Sequence, residues 1–171
     1  MKQCRICKEF LQDDSFYKIK QNKKSGKEYY YNECKSCRHA RDNIRISSTP
    51  ERYLKQTYKA LKHNRTKGLT NKHYDFEISE QDLVDQWYKQ DGICALSGIE
   101  LTHLKDGKGK KWMNATVDRI DPDIGYEIDN IQLVCHRANL IKHDMNEKDL
   151  MFWVESINEH KQLKGLLQQW S

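Results

Sequence analysis

Two polar residues stand where a short chain segment could bring them to one point. Asp118 lies in the stretch 116–120, which alternates around it as a strand does. Asn139 lies just beyond a β-branched run at 131–134, one turn into a segment where Ala138, Ile141 and Met145 recur at helical spacing. Between them Asp121-Pro122-Asp123-Ile124-Gly125 is turn chemistry, because proline presets φ and glycine turns freely. The expected unit is strand, loop, strand, helix. If the helix crosses the hairpin, the side-chain oxygens of Asp118 and Asn139 can meet at one hard divalent cation, which takes oxygen ligands and keeps several waters. The plainer alternative is that Asp118 pairs with Arg119 or Arg137 and that Asn139 serves as a cap.

Four cysteines form a second constellation. Cys4-Arg5-Ile6-Cys7 and Cys34-Lys35-Ser36-Cys37 are two CxxC knuckles. Each offers two thiolates, and together they complete a tetrahedral structural zinc site with no open position. Phe16, Tyr17 and the tyrosines at 29–31 predict a small hairpin between the knuckles, with its tip at 21–27. The remaining Cys94 and Cys135 have Ser97 and Ala138 where second knuckle partners would stand, so both read as small buried hydrophobes.

The stretch 117–142 resembles the HNH, or ββα-metal, nuclease family. The residues that carry the resemblance are Asp118-Arg119-Ile120-Asp121, then Gly125-Tyr126 with Asn130, then Asn139-Leu140-Ile141-Lys142. The similarity extends upstream through Gln90-Asp91-Gly92-Ile93-Cys94 and covers roughly residues 80 to 145. It implies that Asp118 and Asn139 bind a catalytic Mg²⁺ or Mn²⁺ and that Asn130 ties the loop to the hairpin. It also implies hydrolysis of DNA phosphodiester bonds. One departure matters. Most of the family has His directly after the metal-binding Asp, as general base, and this chain has Arg119. A guanidinium is effectively never deprotonated, so Arg119 can hold a phosphate but cannot be that base. Metal-bound water, Tyr126, His136 and His143 remain as sources of the attacking oxygen or its activation. A catalytically degenerate, zinc-containing DNA-binding protein is the alternative.

Other elements must position these residues. The sequence predicts an α+β fold: a zinc ribbon at 1–45, a basic linker helix at 46–72, a ββα-metal core at 73–146 and a C-terminal helix at 147–171. Thr49 caps the linker helix with Pro50 in its first turn, and Tyr53, Leu54, Tyr58 and Leu61 form its apolar stripe. Ser79 with Asp82 resembles a capping box for a helix burying Leu83, Val84 and Trp87. A Gly/Lys-rich loop at 102–111 follows. Asn146 caps the last helix, whose stripe of Leu150, Trp153, Val154 and Ile157 either packs back on the core or joins two subunits of a homodimer.

Charge is unevenly spread. Residues 1–70 hold 18 Lys and Arg against 7 Asp and Glu, a net +11, whereas the remainder holds 12 against 18. A basic half beside an acidic, metal-collecting half suits double-stranded DNA held by one and cut by the other. Lys18, Lys20, Arg38 and Arg41 on the ribbon and Lys55, Lys59, Lys62 and Arg65 on the linker helix are the expected phosphate contacts. No apolar run approaches a membrane span and no leader segment is evident. CxxC thiols with no disulfide framework suit a reducing cytoplasm, that of a bacterium or a virus-infected cell.

Overall fold

The structure, a computed structural model, describes residues 1–19, 28–66, 75–105, 109 and 111–169, without the side chains of 65–66 and 164–169. The expected hairpin tip at 21–27 with Lys20, the end of the linker helix with Gly68, Tyr74, and the middle of the Gly/Lys-rich loop lie outside the described residues. So do the side chains of Arg65, Leu166 and Leu167, and Trp170. Within them helix and strand are mixed, as three two-stranded sheets and five helices.

Two small hairpins build the N-terminal module. β1 (Lys2–Gln3) pairs antiparallel with β2 (Phe10–Leu11), and β3 (Phe16–Ile19) with β4 (Tyr29–Cys34). Among the described residues their shared core is Cys4, Phe16 and Cys34, flanked by Leu11, Tyr30 and Cys37. So little apolar burial is a weak basis for ordering two hairpins by itself.

The sequence reads as helical from Arg38, within 38–48; α1 (Lys35–Ile46) starts three residues earlier, because the second knuckle is itself the helix start. Cys34 is the N-cap, and its sulfur accepts from the Cys37 amide at 3.5 Å. α2 (Pro50–Thr66) begins as its sequence predicts, with Thr49 Oγ1 accepting from the Arg52 amide at 3.4 Å. α3 (Glu80–Lys89) carries the full capping box. Ser79 Oγ accepts from the Asp82 amide, and Asp82 accepts from that of Ser79. The sequence of residues 74–78 reads as a short strand before α3; in the structure it reduces to one parallel bridge between Phe76 and Tyr126.

The hairpin of β5 (Ala115–Arg119) and β6 (Ile131–Cys135) is followed by α4 (His136–Lys142). Its antiparallel register sets Ala115 against Cys135 and Asp118 against Gln132. All of β6 is buried. Its outer edge is closed by a side chain: Gln90 Oε1 accepts from the Leu133 amide at 2.8 Å, and Gln90 Nε2 donates to the Leu133 carbonyl at 2.8 Å. A sheet edge satisfied in this way offers no template for strand addition. The core runs between the helices and this hairpin, through Tyr53, Leu54, Leu83, Val84, Leu133 and Val134. Cys94 and Cys135 are buried within it, as expected of small apolar residues. Tyr53 also donates its hydroxyl to the Ala115 carbonyl at 3.1 Å, fixing α2 to β5.

α5 (Glu147–Gln169) is capped by Asn146, whose Oδ1 accepts from the Asp149 amide at 2.9 Å. Of its predicted stripe only Leu150 is buried. Trp153, Val154 and Ile157 project from the body, so packing of this stripe back on the core is not what the described residues do.

Candidate active site and four-cysteine site

The turn chemistry before β6 builds the frame of the candidate active site. Asn130 makes three bonds from one amide. Its Oδ1 accepts from the Asp121 amide at 2.9 Å, and its Nδ2 donates to the carbonyls of Asp121 at 3.1 Å and Gly125 at 2.9 Å. Gly125 is required for a steric reason. A Cβ there would sit 2.5 Å from the Asp75 carbonyl oxygen, which accepts from the Tyr126 amide. The loop is thereby held against the segment entering α3.

α4 enters at the opposite end of the hairpin. Helix termini leave four amides unpaired. Here His136 donates to the Asn114 carbonyl, Arg137 to that of Trp112, and Ala138 to Cys135 Sγ. The first turn is pinned to the strand ends, and the rest of α4 lies along β5. Asn139 Nδ2 donates to Thr116 Oγ1 at 2.9 Å and to the Val117 carbonyl at 3.3 Å. Thr116 and Asp118 alternate on one face of β5, so Asn139 and Asp118 are served by adjacent inward positions of the strand.

Asp118 is buried, and its partner is neither of the arginines considered from sequence. Lys142 Nζ lies 3.2 Å from Asp118 Oδ1 and donates to the Arg119 carbonyl at 2.7 Å. Gln132 Nε2 donates to Asp118 Oδ2 at 3.0 Å and to Glu147 Oε1 at 3.2 Å. Arg119 instead donates to the Ile124 carbonyl at 3.0 Å, with its guanidinium 5.5 Å from the centre of the Tyr126 ring. Arg137 stacks on the indole of Trp112. Tyr126 is buried and packs on Phe76 at 5.5 Å. His143 is exposed at the end of α4 with φ +53°, and its Nδ1 meets Asp144 at 2.8 Å. His136 is half-buried at the helix start.

The donor set suits a hard cation in type. A carboxylate and a side-chain carbonyl are oxygen ligands, and Asn139 uses its amide nitrogen on the strand, which leaves the carbonyl oxygen as its acceptor. A groove of about 340 Å³ opens beside Thr116, Val117 and Asn139, walled by Gln56, Thr57, Ala60 and Asn64 of α2. The charge arrangement is less open than the sequence implies, because an ammonium already neutralises Asp118. Gln132 and Lys142 are the residues to which sequence reading assigns no role. Gln132 was findable as the cross-strand partner of Asp118, whereas no local signal marks Lys142 as its counter-ion.

The four sulfurs of Cys4, Cys7, Cys34 and Cys37 all lie within 4.8 Å of one another. A tetrahedral zinc with bonds of about 2.3 Å needs sulfurs roughly 3.8 Å apart, so this cluster could hold a zinc ion. Burial disfavours a charge on Cys4, but the amides of Cys34, Cys7 and Ile6 outweigh it and bring the thiol down to about 6. Cys37 is pushed up to about 12 by its hydrogen bond to Cys34. One thiolate is therefore favoured and the next is penalised by its neighbours.

The predicted basic residues divide. Lys18 pairs with Glu28 at 2.6 Å, Arg41 with Glu33 at 2.6 Å and Lys59 with Glu80 at 3.5 Å. Arg38 lies over the rings of Tyr17 and Tyr31, and Lys62 over that of Tyr58. Lys55 and Lys59 border a hollow of about 290 Å³ together with Arg45 and Arg52. Gln56 lines both this hollow and the Asn139 groove, so the two lie on adjoining sides of α2.

No family model matches this sequence, and no curated protein matches it. Among solved structures, that of the rare-cutting HNH restriction endonuclease PacI is similar at a TM-score of 0.43 and 21% identity, over 96% of this chain and 99% of that one. No described helix is long and apolar enough to cross a membrane.

Proposed function

We propose that this chain is a metal-dependent DNA endonuclease of the HNH type, with a structural zinc in its N-terminal module. The observation that supports this reading is that Asn139 of α4 is hydrogen-bonded to Thr116, two positions from Asp118 on the same face of β5, with Arg119 next in the chain. Asp118 and Asn139 would hold Mg²⁺ or Mn²⁺. When bound, such an ion polarises the scissile phosphodiester and stabilises the leaving oxygen.

The chain's own residues supply the rest. Arg119 binds and neutralises the phosphate, with a charge that never titrates away. Lys142 pairs with one oxygen of Asp118, and Gln132 fixes the second and so the orientation of the carboxylate. Asn130 holds the loop that carries Tyr126 toward the strand end. His136, His143 and the Tyr126 hydroxyl are the groups of this chain that could take the proton from the attacking water.

A second reading has one observation in its favour. Lys142 sits where it already balances Asp118, as it would in a DNA-binding protein whose lysine had replaced the cation. Cleavage of plasmid DNA with Mg²⁺ or Mn²⁺, measured for the parent, Asn139→Ala and Arg119→His, separates the two. The nuclease reading expects parental cutting, loss in Asn139→Ala with DNA binding kept, and no gain in Arg119→His. An inert parent that gains activity in Arg119→His would establish the degenerate reading instead. Tyr126→Phe and His143→Ala then assign the source of the attacking oxygen by whichever loses rate at unchanged affinity.

A further inference from the structure

α2 turns two different chemistries outward. Its sequence holds five Lys and Arg against one acid, Glu51 in the first turn. Arg52, Lys55 and Lys59 border the basic hollow at the corner of α1 and α2. Beside them runs a neutral stripe of Gln56, Ala60 and Asn64, all exposed. Their four-residue spacing stacks the three one above another along the helix. This stripe is a wall of the groove of about 340 Å³ whose other side includes Thr116, Val117 and Asn139. Among the described residues that line the groove none is acidic, and Lys105 is the one cation. Gln56 belongs to both the groove and the basic hollow. The neutral stripe therefore lies between the cations of α2 and the candidate metal-binding pair.

We infer that α2 is the helix through which this protein recognises a DNA sequence, with Gln56 and Asn64 as the specificity-determining residues. The inference rests on the DNA reading proposed above and adds to it which base pairs are chosen and by what. Cations that hold phosphates fix a duplex in place but carry no sequence information, so Arg52 and Lys55 cannot select a site. A carboxamide can. It presents a donor beside an acceptor, which matches the N6 donor and N7 acceptor of adenine in the major groove. Ala60, between the two carboxamides, adds only a methyl group and lets base pairs come close to the helix. An α-helix is of the width that the major groove admits. The charge pattern commits the occupant. A duplex whose phosphates rest on Arg45, Arg52 and Lys55 lays its base edges on the adjoining neutral stripe, and the strand beyond them faces Asn139. Gln56 and Asn64 are eight residues apart, about 12 Å at 1.5 Å per residue, against about 3.4 Å per base along one strand. The two recognised positions therefore fall within about four base pairs of each other.

The test uses binding alone. The full, zinc-loaded chain selects duplexes from a randomised pool without added Mg²⁺ or Mn²⁺, and the enriched duplex and a scrambled one are then titrated. The parent should enrich A·T pairs at two positions no more than about four base pairs apart. Gln56→Ala should remove the preference at one position and Asn64→Ala at the other. Each should weaken the enriched duplex roughly ten- to a hundredfold, the range for losing one bidentate base contact. Affinity for the scrambled duplex, its salt slope and the melting temperature should stay parental, because both side chains are exposed. Ala60→Phe should weaken the preference at both positions by holding the helix off the bases. Arg52→Glu with Lys55→Glu should do the opposite and weaken both duplexes alike. A parent that enriches no such pair overturns the inference. So does a Gln56→Ala or Asn64→Ala variant that keeps the parental preference, or one that weakens the two duplexes equally. All of these leave the proposed DNA function standing, whereas a parent that binds no duplex overturns that function as well.

Discussion

The Asp118–Lys142 pair decides how mutations at the candidate site should be read. Both side chains are within 5% of full burial, so neither charge reaches water if its partner is removed. Breaking a buried ion pair costs about 3–5 kcal/mol, largely because the remaining charge is stranded. Asp118→Ala and Lys142→Ala should each lower urea stability by that order. Asp118→Ala combined with Lys142→Met should cost clearly less than the two single changes added together. Additive costs would mean that the pair is not the source of the effect. Loss of cleavage in Asp118→Ala alone is therefore ambiguous between a lost ligand and a loosened fold, whereas half-buried Asn139→Ala strands no charge. Gly125 is the other residue with a sharp expectation. Gly125→Ala forces a carbon against the Asp75 carbonyl and should cost about 1–3 kcal/mol, read as a lower urea midpoint at unchanged slope. Asp118, Asn130 and Asn139 were legible in sequence because each sits in a short motif of fixed spacing. Lys142 as a counter-ion was not, because only the packing of α4 along β5 brings an ammonium to that carboxylate.

At the scale of elements, local signals are legible where one residue makes one local bond. Thr49, Ser79 and Asn146 cap α2, α3 and α5 as their sequence contexts predict. The strand expected before α3 fails because its hydrogen bonds go to Tyr126 across a single bridge, a long-range pairing with no local signature. The start of α1 escapes sequence reading because Cys34 looks like a ligand only, whereas it is also the cap. That dual role gives a test of the four-cysteine site. Cys34→Ser should release about one equivalent of Zn²⁺ by elemental analysis and lose helical signal from α1, because the metal supplies the folding energy that the three-residue core lacks. Cys94→Ser should keep its zinc. Zinc-free parental protein would end the claim. The start of α2 carries a pH dependence. Hydrogen bonds from Thr49 and Tyr88 hold the Glu51 carboxyl down to about 2 from an ordinary 4.5. A depressed acid stabilises the fold above its unfolded pKa, and that contribution is lost as pH falls from 4.5 toward 2. Glu51→Gln should flatten thermal stability over that window and leave neutral pH with only a small change, since the group is partly solvated.

Over the whole molecule, the charge asymmetry visible in sequence survives folding in an altered form. The net +11 of residues 1–70 is a fact of composition, but much of it is internally engaged: Lys18, Arg41 and Lys59 each face an acid. Sequence counting cannot foresee this, because Glu28, Glu33 and Glu80 come to their partners through a hairpin turn, a helix–strand contact and a helix–helix contact. The basic residues that gather instead are Arg45, Arg52 and Lys55, at the corner of α1 and α2. Arg45 has a distant acid, Asp42, at 3.8 Å, and Arg52 donates to Ser48. Lys55 has no acidic partner among the described residues. A polyanion gains most where cations do not have to abandon an acid to reach it. DNA affinity measured across salt concentrations, without divalent metal so that no cleavage intervenes, should therefore depend on this corner. Each phosphate that the protein no longer neutralises lowers the log–log salt slope by roughly 0.9. Arg52→Glu with Lys55→Glu should flatten the slope by about one to two such steps and weaken binding to every sequence alike, because phosphates carry no sequence information. Lys18→Gln and Arg41→Gln should change it by less, since each cation is already held by its own acid. A slope unmoved by Arg52→Glu/Lys55→Glu but reduced by Lys18→Gln would put the duplex on the N-terminal module and turn the α1–α2 corner away from it.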